Sequence, residues 1–313
     1  MDVLLVGGSG FVGSAVARRL QRAGARVTVP TRRRERAKHL LVLPAAEVVE
    51  ADVHDDATLA RLVRGRDAVV NLVGILKGGE GRPYGKGFAR AHVELPGRIA
   101  RAAAVAGVPR LLHMSALRAA GDAPSGYLRS KAAGEEAVGV IGGPAVTIFR
   151  PSVIFGAGDS FLTLFAGLLR LAPAVPLACP EARFQPVWVE DVAAAFVAAL
   201  SEPASTGHAY DLGGPREYSL RELVDYAGRV SGHRRAVLGL PLPIAHLQAF
   251  VMEWVPGGPM TRDNVRSMQV PNVCPAGTEF PFGIVPTSLE AVAPGYLGAA
   301  VSGFDAFRTR AGR

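Results

Sequence analysis

Short apolar runs alternate with amphipathic segments through the first two thirds of the chain. Seven runs have the length and the β-branched content of buried strands, and they lie at residues 3–6, 26–29, 47–51, 68–73, 110–114, 145–149 and 209–212. The segments between them carry apolar residues at helical spacing, at residues 11–23, 34–41, 56–64, 89–106 and 127–138. Because strands that are apolar on both faces need a helical layer on each side, this alternation predicts a doubly wound parallel sheet of the α/β class.

The regular alternation ends near residue 155. Residues 156–186 are rich in Pro and Gly, and scattered helical segments and prolines fill most of the chain beyond residue 212. We therefore predict a Rossmann-type dinucleotide-binding domain at residues 1–155, to which residues 186–212 return with a helix and a strand. The rest of residues 156–313 is predicted to form a smaller substrate or interaction lobe over the carboxyl ends of the strands, where open α/β sheets bind ligands.

One segment of the predicted lobe has a very wide apolar face. On a helical projection of residues 244–255, His246 and Glu253 lie opposite an apolar arc that Gln248 interrupts; the arc contains Ile244, Leu247, Phe250, Val251, Met252, Trp254 and Val255. A face this wide predicts a helix that is buried against the core of its own lobe. The alternative is an exposed face for an apolar ligand, a partner or a membrane surface.

Composition and charge narrow the classes of function. The chain has 313 residues, of which 49% are hydrophobic and 20% are charged, as in ordinary folded proteins. Its net charge is +8, but the basic residues are spread along the chain and aromatic residues make up 7%. A nucleic-acid reader concentrates Lys and Arg beside stacking aromatic side chains, so nucleic acid is not an expected partner.

The two cysteines indicate whether a metal site or a disulfide is expected, and the lengths of the apolar runs indicate where in the cell the protein is expected. Cys179 and Cys274 form no CxxC or Cys/His cluster, so we expect neither a metal site nor a disulfide framework. The chain opens directly into a strand without a signal-peptide pattern, and none of its apolar runs reaches the length of a membrane-spanning helix. The expected location is the cytoplasm, either free or peripheral to the inner face of the membrane.

A glycine-rich turn joins the first predicted strand to the first predicted helix. Residues 7–13 (GGSGFVG) contain GxGxxG starting at Gly8 and GxxGxxG starting at Gly7. Glycines let such a turn close and let phosphate oxygens approach the backbone, while the N–H groups and dipole of the helix start hold a pyrophosphate. In this context we favour a dinucleotide site over a plain strand-to-helix turn.

The end of the second predicted strand indicates which dinucleotide is bound. NAD enzymes place an acid here that binds the ribose 2′-hydroxyl, whereas this chain continues with Thr31, Arg32 and Arg33. Guanidinium groups bind phosphate in a bidentate manner, so the arginines favour NADP(H), with NAD(H) as the alternative. The other explanation, a solvated basic helix start, is unfavourable beside the positive end of the helix dipole.

Six ordered motifs make the chain resemble the extended short-chain dehydrogenase/reductase superfamily over most of its length. Besides the glycine turn, residues 51–53 (ADV) are similar to the element that meets the adenine, and residues 71–74 (NLVG) to the fourth-strand segment under the cofactor. Residues 127–131 (YLRSK) match YxxxK, residues 150–156 (RPSVIFG) resemble the segment beside the nicotinamide, and residues 185–192 (QPVWVEDV) resemble the later HVxDVA element. The resemblance implies a Rossmann fold and epimerase, dehydratase or oxidoreductase chemistry.

The resemblance also implies a set of site residues. The candidate dinucleotide contacts are Gly7, Ser9, Gly10, Phe11, Val12, Gly13, Thr31, Arg32, Arg33, Asp52, Val53, Leu72, Val73, Gly74, Ser115, Tyr127, Lys131, Pro151, Ser152 and Val153. Three of these residues, Tyr127, Lys131 and Ser115, are also the candidate catalytic residues.

The chemistry expected of these three residues follows from their positions. Tyr127 and Lys131 lie four residues apart and share one face of the predicted helix. A lysine ammonium there is expected to lower the pKa of the tyrosine and to hold the nicotinamide ribose, while the phenol moves a proton to or from a carbonyl or alcohol. The superfamily ends its fifth strand with a Ser or Thr that bonds the substrate oxygen. Ser115 is the candidate here, although the preferred register places Ala116 at that point.

Within the superfamily, the chain resembles the atypical branch that contains the nucleotide-binding accessory subunit of mitochondrial complex I and its bacterial relatives. Residues 70–74 (VNLVG), 113–117 (HMSAL), 127–131 (YLRSK) and 240–243 (LPLP) carry this resemblance. It implies tightly bound NADP(H), in some members without known turnover, and a link to quinones or membranes. His92 stands where the superfamily has an Asn in its fourth helix, which argues against epimerase or dehydratase chemistry.

Three functions are compatible with these observations. The leading hypothesis is an NADP(H)-binding oxidoreductase that acts on, or senses, a hydrophobic carbonyl or quinone-related small molecule. A nucleotide-sugar epimerase, dehydratase or reductase would need a diphosphate-sugar site in the lobe, to which Arg183, Arg262 or Arg266 could contribute. The third is a non-catalytic accessory subunit of a respiratory complex, in which NADP(H) stabilises a scaffold.

Overall fold

The computed structural model of the chain describes residues 1–255 and 258–298. Its contacts divide the chain into two compact units. The first contains Met1–Pro151, Glu190–Leu212 and Gly277–Ile284, and the second contains Ser152–Val189, Gly213–Ala276 and the described residues from Val285 onward. The sequence predicted that the first domain ends at residue 155 and that the chain returns to it at residue 186, whereas the observed boundaries lie at residues 151 and 190. The third segment of the first unit, Gly277–Ile284, was not predicted.

Seven parallel strands form the central sheet of the first unit. The strands of the described chain are β1 (Asp2–Val6), β2 (Arg26–Thr31), β3 (Ala46–Glu50), β4 (Ala68–Asn71), β5 (Arg110–Met114), β6 (Ala145–Pro151), β7 (Ile154–Phe155), β8 (Ala174–Ala178), β9 (Arg183–Phe184), β10 (Val187–Trp188), β11 (Ala209–Leu212), β12 (Tyr218–Ser219) and β13 (Ala236–Leu240). The sheet order is β11–β6–β5–β4–β1–β2–β3, and every neighbouring pair is parallel. The predicted Rossmann-type fold is confirmed, and the strand order reverses between β1 and β4, where such sheets bind ligands.

Helices follow most of the strands. The α-helices are α1 (Phe11–Arg22), α2 (Asp56–Val63), α3 (Lys86–Phe88), α4 (Leu95–Val105), α5 (Gly126–Gly139), α6 (Leu162–Leu171), α7 (Val189–Leu200), α8 (Leu220–Val230), α9 (Leu242–Glu253), α10 (Arg262–Ser267), α11 (Leu289–Val292) and α12 (Pro294–Leu297). The segment predicted as a helix at residues 34–41 is a 3-10 helix at Arg34–Leu40. None of the helices in the described ranges combines the length and apolar character needed to cross a membrane.

The central strands are buried on both faces. Val3, Leu4 and Leu5 of β1 have no measurable exposure, so consecutive side chains on opposite faces are all covered. On one face, an apolar cluster joins the sheet to α2 and α4; it includes Leu4, Val6, Leu59, Val69, Leu95, Ile99 and Leu111. Burying each such side chain stabilises the fold by about 1.5–3 kcal/mol, which fixes the ends of β1, β4 and β5 relative to one another.

The helix predicted at residues 89–106 begins earlier and contains a π-helical turn. Its segments are α3, a π-turn at Ala89–Glu94 and α4. Pro96 has no N–H to donate to the carbonyl of His92, four residues earlier, so a regular α-helix cannot continue through this point. That carbonyl instead faces Gly134 of α5, where a Cβ would lie 2.1 Å from the His92 oxygen. The π-turn and Gly134 therefore bring the two helices into direct backbone contact.

The second unit has its own core between α6, α8 and short strands. Leu162, Leu169, Leu223, Val224 and Leu289 are buried in one cluster. Helix α8, which the sequence analysis did not predict, begins with a capping box. The Ser219 hydroxyl accepts the Glu222 N–H at 3.1 Å, and the Glu222 carboxylate accepts the Ser219 N–H at 2.6 Å.

Helix α9 differs from the sequence-based prediction in which of its residues are buried. The prediction that its large apolar residues are buried in the core of the lobe is wrong, because Ala245 and Ala249 are the residues that pack inward, with Ala178 and Val265. Every large apolar residue of the predicted arc except half-buried Met252 is exposed, namely Ile244, Leu247, Phe250, Val251, Trp254 and Val255. The small residues of the helix therefore face β8 and α10, which carry Ala178 and Val265.

The third segment of the first unit closes around aromatic side chains of the sheet. Phe282 lies in a 3-10 helix at Pro281–Gly283, and its ring centroid is 6.4 Å from that of Phe149 and 5.2 Å from that of Tyr210. On its other side, Phe149 packs on Phe196 of α7 at 4.3 Å. Phe149 is completely buried as a result.

Candidate functional site

The glycine turn lies at the carboxyl end of β1 and leads into α1. Gly7 has φ +85°, and a Cβ on it would lie 3.0 Å from the backbone of Leu72 and Val73. A Cβ on Gly13 would lie 2.4 Å from the Gly7 carbonyl oxygen and 2.5 Å from the Gly8 Cα. These glycines are therefore required by close backbone approach, and the turn is packed against the end of β4.

The start of α1 is open to an anion. Gly10 is its N-cap and provides no side-chain cap, and the first turn contains no acidic residue. The Ser14 N–H and the Ser14 hydroxyl both donate to the Gly10 carbonyl oxygen, at 2.9 and 2.7 Å, so the Ser14 side chain does not cap the helix start. A helix of this length with an uncapped glycine-rich start binds phosphate through backbone N–H groups, so the residues present fit a dinucleotide pyrophosphate.

The ends of β2 and β3 form the part of the site predicted for the adenosine. The Thr31 hydroxyl donates to the Arg33 carbonyl oxygen at 3.1 Å and fixes the turn after β2. The Ala51 N–H donates to the Thr31 carbonyl oxygen at 2.9 Å, which places the predicted Asp52 and Val53 directly beside that turn. Arg32 and Arg33 are exposed there.

A chain of hydrogen bonds through His92 joins the end of β4 to α5. The Ile75 N–H donates to Nε2 of His92 at 3.0 Å, so the Nδ1 of the neutral ring carries the proton. That Nδ1 lies 2.8 Å from the Ser130 hydroxyl, which in turn donates to the Tyr127 carbonyl oxygen at 2.7 Å. The predicted segment Leu72–Gly74 and the predicted Tyr127 are therefore held together by a residue that the sequence analysis had marked only as a departure from the superfamily.

His92 stays neutral in this setting. Burial, followed by the charge of Lys131, lowers the pKa of His92 to about 2. Its ring stacks on Phe88 with centroids 5.4 Å apart and meets the edge of the Tyr127 ring at 5.6 Å. Its direct role is positioning, because it fixes the first turn of α5 that carries Tyr127.

Lys131 is buried at the centre of the candidate site. Its side chain is 2% exposed, and its ammonium group donates to the Met114 carbonyl oxygen at the end of β5, at 3.0 Å. A Cβ on Gly74 would lie 3.5 Å from its Nζ, so Gly74 makes room for the lysine. Burial lowers the pKa of Lys131 to about 8, and Glu135 partly opposes this shift.

The environment of Tyr127 differs from the prediction. The expectation that Lys131 lowers the pKa of Tyr127 is wrong for this structure, because burial raises the pKa of the phenol to about 12. The nearest aromatic neighbours, Phe88 and His92, are uncharged and do not stabilise a phenolate. Tyr127 is therefore a neutral phenol at physiological pH, which suits a proton donor better than a proton acceptor.

Ser115 follows β5 and carries a buried hydroxyl. The residue is 3% exposed, its N–H donates to the Phe149 carbonyl oxygen at 2.7 Å, and within the described residues its Oγ has no hydrogen-bond partner. Ala116, the residue of the preferred register, has no side-chain polar group to offer. An unpaired buried hydroxyl costs about 1–3 kcal/mol, which a bound oxygen would recover.

The segment after β6 divides between the two units. Pro151 belongs to the first, where its carbonyl oxygen accepts the Leu117 N–H at 3.0 Å. The predicted Ser152 and Val153 belong to the second, where Asn272 engages both: its Oδ1 lies 2.6 Å from the Ser152 hydroxyl and accepts the Val153 N–H at 3.1 Å. Asn272 was missed because nothing in the local sequence links it to residue 152.

Arg129, inside the YLRSK motif, is a second residue that the sequence analysis left unassigned. Its guanidinium donates to the Pro83 carbonyl oxygen at 2.7 Å and to the Ala123 carbonyl oxygen at 2.5 Å. It thereby ties the loops on either side of Tyr127 to α5. In the part of the chain that the structure describes, no group of His, Cys, Asp or Glu side chains is arranged to hold a metal ion.

The buried lysine should destabilise the protein when the dinucleotide is absent. The pKa of Lys131 is lowered from 10.5 to about 8, so below pH 8 the buried ammonium lowers the free energy of unfolding. That free energy rises as the pH passes from 8 to 10.5, because there the unfolded chain keeps the proton that the folded chain has lost. We expect Lys131→Met to raise the free energy of unfolding at pH 7 by about 1–2 kcal/mol, after allowing for the lost hydrogen bond. Denaturant unfolding at pH 7 and at pH 10.5 measures this. A gain that is equally large at both pH values would contradict the assignment.

Comparisons with known proteins agree with this geometry. The model of the NAD dependent epimerase/dehydratase family matches residues 3–213. A curated relative is the mitochondrial NADH dehydrogenase [ubiquinone] 1 alpha subcomplex subunit 9 of Mus musculus, which is 34% identical over 91% of this chain and 76% of its own length. Another is the ceramide reductase of Caulobacter vibrioides, which is 32% identical over 80% of this chain and 78% of its own.

A solved structure supports the fold. DesIV, a dTDP-glucose 4,6-dehydratase from Streptomyces venezuelae with NAD and TYD bound, superimposes with a TM-score of 0.74 at 21% identity, covering 95% of this chain and 96% of its own. The family model and the ceramide reductase relative together support an NAD(P)-dependent enzyme of the short-chain dehydrogenase/reductase superfamily. From the family match, and from the glycine turn and YxxxK helix that the structure places at the ends of β1 and β5, the chain belongs to the NAD dependent epimerase/dehydratase family.

Proposed function

We propose that this protein is an NADP(H)-dependent oxidoreductase that reduces a hydrophobic carbonyl or quinone-related compound. The observation that carries the proposal is the desolvated cluster around Tyr127 and Lys131. Its neighbours His92 and His113 both stay neutral, because burial lowers their pKa values to about 2 and about 3. Such surroundings favour an uncharged substrate and a phenol that gives up its proton only to a developing oxyanion.

The residues divide the work of carbonyl reduction among them. When bound, the dinucleotide supplies a hydride to the carbonyl carbon. Tyr127 donates its phenolic proton to the carbonyl oxygen as that oxygen gains charge, and the Ser115 hydroxyl donates a hydrogen bond to the same oxygen. Lys131, one helical turn beyond Tyr127, holds the nicotinamide ribose.

The preference for NADP(H) rests on the end of β2. Arg32 and Arg33 are exposed beside the buried Thr31, where a 2′-phosphate would meet them. Thr31 offers a hydroxyl instead of the carboxylate that would repel a phosphate. Two guanidinium groups next to an uncharged strand end favour the phosphorylated dinucleotide.

Replacement of Arg32 tests this preference. Arg32→Ala is expected to weaken NADPH binding by about 1–3 kcal/mol through the loss of charge-assisted hydrogen bonds, and to leave NADH binding nearly unchanged. Isothermal titration with both dinucleotides measures this. Arg22→Ala, at the opposite end of α1, is a matched control that should alter neither affinity. Tighter binding of NADH than of NADPH by the unaltered protein would overturn the preference.

The arginines of the second unit do not favour a nucleotide-sugar substrate. Arg262 forms an ion pair with Glu253 at 2.9 Å, and Arg266 lies 3.7 Å from Asp263. Arg183 lies 3.5 Å from Glu217. Each of these guanidinium groups already faces a carboxylate, so a diphosphate would have to displace an acid. The ceramide reductase relative, whose name specifies a lipid substrate, supports the apolar alternative.

A direct test uses the dinucleotide that co-purifies with the protein. We expect NADP(H), identified by mass spectrometry, and we expect the reduced form to be oxidised when long-chain ketones or quinones are added. Nucleotide sugars serve as the comparison set. Oxidation by nucleotide sugars and not by apolar carbonyls would overturn the proposed substrate class while leaving the cofactor assignment intact.

A second candidate is a non-catalytic accessory role in a respiratory complex. It is favoured by the 34% identity to a mitochondrial NADH dehydrogenase subunit over 91% of this chain. In that case NADP(H) binding raises the melting temperature, but none of the candidate acceptors changes the redox state of the dinucleotide. The addition of candidate acceptors to the protein with its co-purified dinucleotide therefore separates the two candidate functions.

A further inference from the structure

Among the described residues of the second unit, helix α9 carries the most pronounced exposed apolar surface. Ile244, Leu247 and Val251 lie at helical spacing along one side, and Trp254 and Val255 continue the row. Leu247 is 63% exposed and Trp254 is 77% exposed. A helix that turns alanines inward and an unbroken apolar row outward has the reverse of the pattern expected at a water-exposed surface.

Neighbouring strand residues extend this surface. Leu240 pairs with Ala178 in the β13–β8 ladder and packs with the inward alanines of α9. Leu238 pairs with Pro176 two residues earlier, on the same face of the ladder, and both are exposed. The Gln248 amide donates to the Pro176 carbonyl oxygen at 3.3 Å, which joins the edge of the helix to this pair. We name the combined surface of Leu238, Pro176 and the outward row of α9 the α9 face.

The charges around the α9 face have one predominant sign. Between residues 236 and 255 the single acid is Glu253, which lies away from the outward row and is paired with Arg262. Over residues 234–266 there are four arginines (Arg234, Arg235, Arg262 and Arg266) and two acids (Glu253 and Asp263). The two acids lie beside Arg262 and Arg266, so the local excess is two positive charges. The Arg262 guanidinium covers the Phe250 ring at 5.0 Å, which sets a cation at the rim of the apolar row.

From this combination we propose that the α9 face binds the surface of an anionic lipid bilayer. The apolar row enters the boundary between headgroups and acyl chains, while the net charge of +8 draws the chain to an anionic surface. The length of α9, 12 residues, suits a helix lying in the plane of the surface. A second copy of the chain is the less favourable occupant, because each copy carries a net charge of +8.

Flotation of the purified full-length chain with vesicles tests the proposal. We expect co-flotation with vesicles of phosphatidylcholine and phosphatidylglycerol, weaker flotation with phosphatidylcholine alone, and partial loss of binding as salt is raised. Leu247→Glu is expected to lower the bound fraction about tenfold, because it places a charge within the apolar row. Since Leu247 is exposed and the inward contacts are made by Ala245 and Ala249, the variant keeps its fold, as circular dichroism would verify.

A matched control and an optical signal make the result specific. Val105→Glu changes an equally apolar residue that is 91% exposed on α4, outside the α9 face, and should float like the unaltered protein. On binding, the emission of Trp254 should shift to the blue, and Trp254→Phe should lose that shift while it still floats. These measurements do not depend on dinucleotide binding or turnover, so they test the lipid proposal independently of the proposed reaction.

Three results would overturn the lipid assignment. The first is an unaltered protein that does not float with anionic vesicles, and the second is a Leu247→Glu variant that floats as well as the unaltered protein. The third is a dimer in analytical ultracentrifugation without vesicles that Leu247→Glu dissociates, which would assign the α9 face to a second copy of this chain.

Discussion

Tyr127→Phe is expected to lower the rate of carbonyl reduction about a hundredfold or more, the usual scale for the loss of one acid–base group. The affinity for NADPH should hardly change, because the ring remains packed against Phe88 and His92. Stopped-flow kinetics at saturating dinucleotide measures the rate of the chemical step. Because the pKa of Tyr127 is raised to about 12, the phenol of the unaltered protein keeps its proton across the physiological pH range.

Two variants accompany this measurement. Tyr210→Phe removes a hydroxyl from β11, outside the candidate site, and should leave the rate unchanged. Lys131→Met should weaken dinucleotide binding and lower the rate together, because the lysine is assigned to the ribose that orients the nicotinamide beside Tyr127. If Tyr127→Phe retained the full rate, the proton would have to come from another group and the assignment of Tyr127 would fall.

Gly134→Ala is expected to lower the free energy of unfolding by about 3 kcal/mol, at the upper end of the range for overpacking. In most helices this change is stabilising by up to about 1 kcal/mol. Here the new methyl group would lie 2.1 Å from the carbonyl oxygen of His92, so α5 must move away from the π-turn. That movement also pulls apart the hydrogen bond between His92 and Ser130, and turnover should fall with stability.

Gly139→Ala is the matched control in the same helix. A Cβ on Gly139 meets no atom within 4 Å, so the variant should be neutral or slightly more stable than the unaltered protein. Chemical denaturation of both variants, read by circular dichroism, measures the difference. Equal stability of the two variants would show that α5 and the π-turn are not held in the close contact described above.

Much of the first unit could be predicted from sequence because its signals are local. The buried strands are short apolar runs, and β5 was predicted with the bounds that the structure shows. The glycine turn is recognisable because each glycine is required by the turn that follows the strand. By contrast, the π-turn depends on the missing N–H of Pro96 and on the close approach of the His92 carbonyl to Gly134, a contact between residues far apart in the chain.

The second unit was harder to predict for identifiable reasons. The wide apolar arc of α9 was correctly located, but a projection does not say which side meets the core. The structure shows that Ala245 and Ala249 are enclosed and the large residues are not. Helix α8 could have been found, since Ser219 and Glu222 form the spacing of a capping box before an amphipathic segment. Asn272 has no such signal, because its contacts to Ser152 and Val153 span about 120 residues.

The interleaving of the two units has a consequence for synthesis on the ribosome. When residue 151 has emerged, six strands of the central sheet exist, but β11, α7 and Phe282 have not yet been made. The Phe149 ring, which these elements bury, stays open to water until residues 152–189 and 213–276 have been translated and residue 284 has left the tunnel. The nascent chain therefore exposes an apolar sheet edge while residues 152–284 are made, the condition under which chaperones bind and aggregation begins. A shortened gene ending at residue 212 should yield mainly inclusion bodies, whereas the whole gene should yield folded protein.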